Sequence, residues 1–148
     1  MSCLFCAIAA GSEPASIVWQ DESCVAFMDL FPVSDGHVLV IPRTHAAHIG
    51  ELAPPLRAHL LEIACRVMKA QAAAGIRCDA NNLLVNDGKA ANQHVPHVHL
   101  HVIPRRHGDG RSTLWRFATR LLNRRDLDER RRRLDAMAAR LGAAMQGG

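Results

Sequence analysis

The sequence predicts one domain that mixes β-strands with helices, and three observations carry that prediction. Its 148 residues fall within the usual span of a single domain, and a hydrophobic fraction of 49% is enough to build a core. Short runs rich in β-branched and aromatic residues are separated by turn-forming residues, the mark of strands. One longer segment, opening at Pro54-Pro55, repeats its apolar residues with the helical period.

In chain order, residues 16–20 and 24–29 read as the first two strands, with Asp21-Glu22-Ser23 as the turn between them. Asp29 ends the second strand ahead of Leu30-Phe31-Pro32. A carboxylate there can accept two hydrogen bonds from a vicinal diol such as ribose. In isolation it is most simply a turn aspartate. Val33-Ser34-Asp35-Gly36 turns the chain into a third strand at residues 37–41, stopped by Pro42. His37, His45 and His48 cluster around that strand.

The long helix follows, with Leu56, Leu60, Ile63, Val67 and Ala74 on one stripe and Gly75 as its stop. This stripe is a packing surface without a catalytic role. Residues 81–85 form a fourth strand, and residues 86–93 a loop long enough to carry function. Within it Gly88 permits a turn and a close approach to a ligand, while Asn86 and Gln93 bring amides beside the histidines that follow.

Those histidines make the fifth strand. His97, His99 and His101 alternate with Val98, Leu100 and Val102, and His94 precedes them. Period-two alternation puts three imidazoles on one face and three aliphatic groups on the other. Pro104 closes the run. Beyond Arg105, residues 106–112 read as a mobile polar connection and Leu114-Trp115-Arg116-Phe117 as an apolar patch. Leu127, Leu134, Met137, Leu141 and Met145 mark a C-terminal helix. The Arg130-Arg131-Arg132-Arg133 run is most simply its solvated face, the alternative being attraction of polyanions.

Charge is distributed unevenly. Residues 1–104 carry 6 basic and 9 acidic residues, and residues 105–148 carry 12 and 5, so the basic character belongs to the tail. The pI of about 9.1 is therefore no argument for a nucleic-acid partner, and none is expected. The apolar start has no positive segment ahead of it, is interrupted at residues 11–14, and is too short to span a bilayer. No membrane association is expected, and a reducing cytoplasm is the expected location. Five cysteines without regular spacing do not suggest a disulfide framework. Cys24, Cys65 and Cys78 read as small, buried or half-buried residues. Cys3 and Cys6 read either as half of a zinc site completed by histidines or as two ordinary cysteines. A redox pair is disfavoured, because no strand can precede residue 3.

Three imidazoles on one strand face admit two chemistries. They can ligate a metal, since neutral imidazole suits zinc, copper or nickel. Alternatively, one is a nucleophile toward phosphorus while its neighbours manage protons and charge. The second chemistry needs donors for phosphate oxygens, a partner for a ribose and a carbonyl that orients the nucleophile. Asn86, Gln93, the Gly88 loop and Asp29 are available for the first two.

The combination resembles the histidine triad (HIT) superfamily. His97-Val-His99-Leu-His101-Val102-Ile103 matches its signature, and Asn86-x-Gly88, Ala91-x-Gln93 and Pro104-Arg105 match the lead-in and exit. Upstream, Phe27-x-Asp29-x-x-Pro32 and Gly36-His37 through Pro42-x-x-His45 look like the family's nucleotide-pocket strands. The likeness covers roughly residues 3–105. It implies an α+β, HIT-like fold: a five-stranded antiparallel sheet with a long helix and a C-terminal helix, commonly paired into a homodimer. Residues 1–105 would be the catalytic core and residues 106–148 a basic helical tail of the same domain.

The resemblance further implies a hydrolase or transferase acting at the α-phosphate of a purine nucleotide or nucleotide conjugate, through a covalent nucleotidyl-histidine. His99 would be the nucleophile, His101 and His37 would lie at the phosphate, and His97 would be a proton-relay member or a zinc ligand. Asp29 would bind ribose, Leu30 would pack on the base, and Asn86, Gly88 and Gln93 would form the phosphate loop. Zinc-containing members imply a structural zinc on Cys3, Cys6, His45 and His97, with His48 an alternative to His45. His94 departs from the family pattern, which has Ser, Thr or a small polar residue there. That imidazole, counted with the nucleotide site, would either act as an acid toward the leaving group or point to solvent, so the departure bears on leaving-group preference more than on the nucleophile.

Overall fold

The computed structural model describes residues 3–119, 122 and 126–147, so part of the predicted tail lies outside them. The strands are β1 (Ile17–Gln20), β2 (Cys24–Met28), β3 (Val38–Pro42), β4 (Ala80–Val85) and β5 (Leu100–Arg105). They form one antiparallel sheet in the order β1-β2-β3-β5-β4. The helices are α1 (Leu4–Ala9), α2 (Pro54–Ala73), α3 (Gly110–Thr119) and α4 (Leu127–Gln146).

Both faces of the central strands are covered, and the alternation along each strand shows how. In β2, Cys24, Ala26 and Met28 join the core beneath α2 and α4, whereas Val25 and Phe27 pack with Phe5 and Ile8 of α1. In β3, Val38 and Val40 face the helical layer, and Leu39 and Ile41 face α1. This two-sided burial explains why these strands read as nearly continuous apolar runs. Val98, Leu100 and Val102 lie in the larger core, which leaves the alternating histidines on the α1 side.

In α2, Leu60, Ile63 and Val67 are buried, and Gly75 follows its end in the left-handed region at φ 71°. Leu134, Leu141 and Met145 of α4 are buried against the same core together with Ala138. Gly142 lets α4 approach β1 closely: a Cβ there would sit 3.0 Å from the Val18 carbonyl oxygen. Ser16 Oγ donates to Asp135 at 2.5 Å and anchors the middle of the helix.

Several expectations about local structure are corrected. Only His101 of the triad lies within a strand, since β5 starts at Leu100; His97 ends a bend and His99 lies in the unpaired approach to the strand. Pro104 does not stop β5, where it pairs with Asn81. Its missing N–H is tolerated because β3 pairs with β5 only as far as Val102. Residues 106–109 form a hydrogen-bonded turn and residues 110–112 already belong to α3, in place of a mobile connection. Asp109 accepts from Arg105 and from the Arg106 N–H, and its carbonyl accepts the Thr113 N–H that starts α3. Arg105 holds the Asp109 carboxyl down at a pKa of about 2. Leu127 opens α4 in line with Leu134, half-buried at the cleft rather than within the core. Among the described residues, no helix is long and apolar enough to cross a membrane.

Candidate active site

One row of paired residues crosses the sheet on the α1 side: Ile17, Phe27, Leu39, His101 and Leu84. Directly paired antiparallel residues share a face, and the middle of this row, Phe27, Leu39 and His101, forms the floor of a cleft whose wall is α1. The cleft is about 350 Å³, within the range of small-molecule sites. Asp29, Leu30, His99 and His101 line it, with His94 exposed at the opening. Leu4, Phe5, Ile8, Phe27, Leu39 and Phe31 make much of the lining apolar. His37, His97, Asn86, Gly88 and Gln93 lie outside the immediate lining.

The central observation concerns His99. Its Nδ1 donates to the carbonyl oxygen of His97 at 2.7 Å. That bond puts the proton on Nδ1 and the lone pair on Nε2, the tautomer a nucleophile requires. The Phe5 ring meets His99 edge-on at 5.2 Å between centroids and limits its rotation. The His101 ring is 5.0 Å away.

Behind His101 lies a buried polar chain. His37 Nε2 is 2.9 Å from His101 Nδ1, and one ring must donate to the other. His37 Nδ1 is 3.3 Å from the Val33 N–H and 3.5 Å from Asp29 Oδ2. Asp29 also accepts the Phe31 N–H at 2.9 Å through Oδ1. A carboxylate offers about four acceptor positions, and this one lines the cleft. Buried neighbours thereby orient His101 and Asp29 before any ligand arrives.

Gln93 has a defined task in the loop before the histidines. Its Oε1 accepts the Gly88 N–H at 2.8 Å and its Nε2 donates to the Ala47 carbonyl at 2.8 Å, so both ends of the amide hold the loop. Gly88 adopts φ 97°, a backbone that favours glycine, and Asn92 closes the short turn of residues 89–91 at φ 63°. Asn86 is buried where β4 leaves the sheet.

A second cluster flanks the cleft. The candidate ligand atoms of Cys3, Cys6, His45 and His97 all lie within 4.8 Å of one another. His97 Nδ1 is 3.4 Å from Cys3 Sγ and 3.5 Å from Cys6 Sγ, and His45 Nδ1 is 3.3 Å from Cys6 Sγ. Tetrahedral zinc with ordinary Zn–S and Zn–N bonds has S···N edges of about 3.5 Å, so the spacing fits. The ligand chemistry fits as well. His97 Nε2 donates to the Pro42 carbonyl at 2.9 Å and leaves Nδ1 for a metal. Burial lowers the His97 pKa, opposed by the Pro42 bond and aided by His45 and His99, so the ring is neutral. Burial, then the Cys3 sulfur, raise the Cys6 thiol; a divalent cation between the sulfurs reverses that balance. His48 is drawn away by Asp87, 2.8 Å from its Nδ1, and belongs to neither cluster.

Sequence reasoning did not identify α1 as the cleft wall, nor Phe31, Leu127, Glu13 and Arg131 as lining residues. Leu4, Phe5 and Ile8 carry a faint helical spacing, but six residues are too few to establish a period. The arginine run is only partly a solvated face. Arg132 and Arg133 are exposed, but Arg131 lines the cleft, and the Arg130 guanidinium lies 5.2 Å from the Phe31 ring centroid.

Comparison with known proteins agrees with this geometry. The HIT domain model matches residues 10–108. An uncharacterised HIT-like protein of Mycobacterium tuberculosis is 40% identical over 128 residues, 86% of this chain and 85% of its own length. The adenosine 5'-monophosphoramidase of Schizosaccharomyces pombe is 41% identical over 105 residues, 71% of this chain and 75% of its own. The crystal structure of a zinc-bound histidine triad family protein from Mycobacterium smegmatis superposes with a TM-score of 0.73 at 39% identity, covering 97% of this chain and 98% of that one. With its triad, lead-in loop and upstream strands all inside the matched span, the chain belongs to the histidine triad superfamily.

Proposed function

We propose that the protein is a nucleotide hydrolase or transferase acting at the α-phosphate of nucleoside phosphoramidates or dinucleoside polyphosphates. The His99 tautomer carries this reading. With Nδ1–H committed to the His97 carbonyl at 2.7 Å, the Nε2 lone pair is available to attack phosphorus. Similarity to a phosphoramidase supports the same reaction class. Attack by Nε2 forms a P–N bond and breaks the bond to the leaving group, which departs with a proton taken from solvent and balanced by the one that water releases in the second step. Water then attacks the same phosphorus, the P–N bond breaks, and the nucleoside monophosphate leaves. One difficult displacement thereby becomes two easier ones.

The other residues take supporting parts. His101, oriented by His37, donates to a phosphate oxygen, while Asp29 accepts from the ribose hydroxyls. A purine fits the apolar half of the cleft, among Leu4, Phe5, Ile8 and Leu30. Asn86 and the loop shaped by Gly88 and Gln93 border the phosphate, and His94 at the rim meets the leaving group. Cys3, Cys6, His45 and His97 would hold zinc, which supplies a structural tie between α1 and the sheet rather than chemistry. A homodimer through the outer edge is part of this reading, because β4 is an edge strand with Leu83 and Leu84 exposed.

Mass spectrometry of the protein mixed with a chromogenic nucleoside phosphoramidate tests the central step. A nucleotidyl adduct is expected in the wild type and absent in His99→Ala. Undiminished turnover in His99→Ala refutes the nucleophile, and nucleotide binding without turnover in the wild type leaves a non-catalytic binding module. Sedimentation at working concentration tests the dimer.

A further inference from the structure

We propose that Arg131 reads the nucleobase and biases the site toward 6-oxopurines such as guanine over adenine. The inference rests on the nucleotide reading above and adds the identity of the base to it.

Its basis is the position of α4. Asp135, held by Ser16 Oγ at 2.5 Å, and Gly142, packed against the Val18 carbonyl, dock the helix along β1. Arg131 lies one turn before Asp135 on the same helix face, and Leu127 one turn earlier again. Both line the cleft, beside Leu30 and Phe31. Arg130 stacks its guanidinium over Phe31, 5.2 Å from the ring centroid, and stiffens that wall.

The sheet supplies the scale. From His101 through Leu39 to Phe27 is a path of two strand spacings, about 10 Å, and Pro14 and Ala15, just ahead of β1, line the cleft beyond it. With the α-phosphate at His99 and ribose at Asp29, the base extends toward α1 and β1, the end where α4 enters. Arg131 therefore meets the base rather than the leaving group.

A guanidinium only donates hydrogen bonds. Guanine presents O6 and N7, two adjacent acceptors that match its fork, whereas adenine places an amino donor next to N7. Glu13 also lines the cleft. Its carboxylate accepts from guanine N1–H and the 2-amino group, and it repels the N1 lone pair of adenine. Both charges favour the same base.

Calorimetric titration with GMP and with AMP tests the proposal without requiring turnover. The wild type is expected to bind GMP roughly 5- to 10-fold more tightly, the lower end for an arginine–guanine pair because Arg131 is half-exposed. Arg131→Gln, whose amide pairs with adenine N6 and N7, should abolish or invert the ratio. Arg132→Gln, an exposed neighbour with the same charge change, should preserve it. Equal affinities in the wild type, or an unchanged ratio in Arg131→Gln, overturn the proposal. Base discrimination without a His99 adduct overturns the transfer reaction alone, and failure of both nucleotides to bind overturns both readings.

Discussion

Replacing Phe5 with alanine tests whether α1 is a working wall of the site. Phe5 is only 6% exposed and packs edge-on against Phe27, His97 and His99. A helix of six residues has too few internal hydrogen bonds to stand alone, so α1 depends on Phe5, Ile8 and the cysteine cluster for its position. Truncating a buried phenylalanine costs about 3–5 kcal/mol. Because α1 packs on one face of the sheet without pairing in it, it can undock while the sheet stays folded, and the loss should appear as local opening. Even 3 kcal/mol raises the opening constant by about two orders of magnitude. Native-state hydrogen exchange reads this at the Ala7 and Ala10 amides, which donate to Cys3 and Cys6 carbonyls at 3.0 and 2.9 Å. Roughly 100-fold faster exchange at those two amides is expected, with β2 and β3 unchanged and a raised KM for the nucleotide. Unchanged exchange at Ala7 and Ala10, or equal acceleration throughout the sheet, refutes the reasoning.

Two other predictions concern stability. Gly36 adopts φ 83°, and a Cβ there would lie 2.6 Å from Ile76 Cδ1, so Gly36→Ala should cost about 2 kcal/mol or more in a denaturant titration. Burial raises the Asp21 pKa, but the Ser23 N–H, the His59 imidazole and the Cys24 N–H outweigh it and bring it to about 2, below the ordinary 3.8. A depressed carboxyl stabilises the fold above its unfolded pKa and loses that contribution as pH falls through its folded one, so the loss spans roughly pH 4 to 2. The effect is small because this pair is partly solvated. Urea midpoints at pH 5 and 2.5 should converge in Asp21→Asn relative to the wild type, and an equal pH slope in both counts against the assignment.

What the sequence disclosed follows from how far each signal reaches. The histidine alternation was legible because Val98, Leu100 and Val102 are drawn into the larger core, which turns the histidines between them to the α1 side even ahead of the paired strand. The central strands were legible because both their faces are covered. The phase of α4 was not. Four consecutive arginines look alike, and which of them enters the cleft is decided by the distant packing of Gly142 on Val18 and of Asp135 on Ser16. The cysteine spacing left zinc and two ordinary thiols open, the family resemblance favoured zinc with His45 or His48, and Asp87, whose carboxylate engages His48, sets that residue apart. Residues 106–112 looked mobile because polarity alone does not reveal that Asp109 would gather four donor atoms of Arg105, Arg106 and Thr113 around itself.

His97 joins the two clusters through different atoms. Its carbonyl accepts the His99 Nδ1–H, its Nε2 donates to Pro42, and its Nδ1 faces Cys3 and Cys6. Neither ring nitrogen is therefore placed for proton transfer in the cleft. The bond that sets the His99 tautomer is made by the main chain, which survives side-chain replacement. His97→Ala should consequently lose bound zinc and loosen α1 while still forming the nucleotidyl adduct on His99. Zinc content by atomic spectroscopy and adduct mass on the same preparation separate the two roles. If the adduct is lost while zinc and α1 protection persist, the ring participates in the chemistry and the division of labour within His97 is wrong. If zinc is lost and the adduct remains, the nucleophile's orientation resides in backbone that any residue at position 97 would supply.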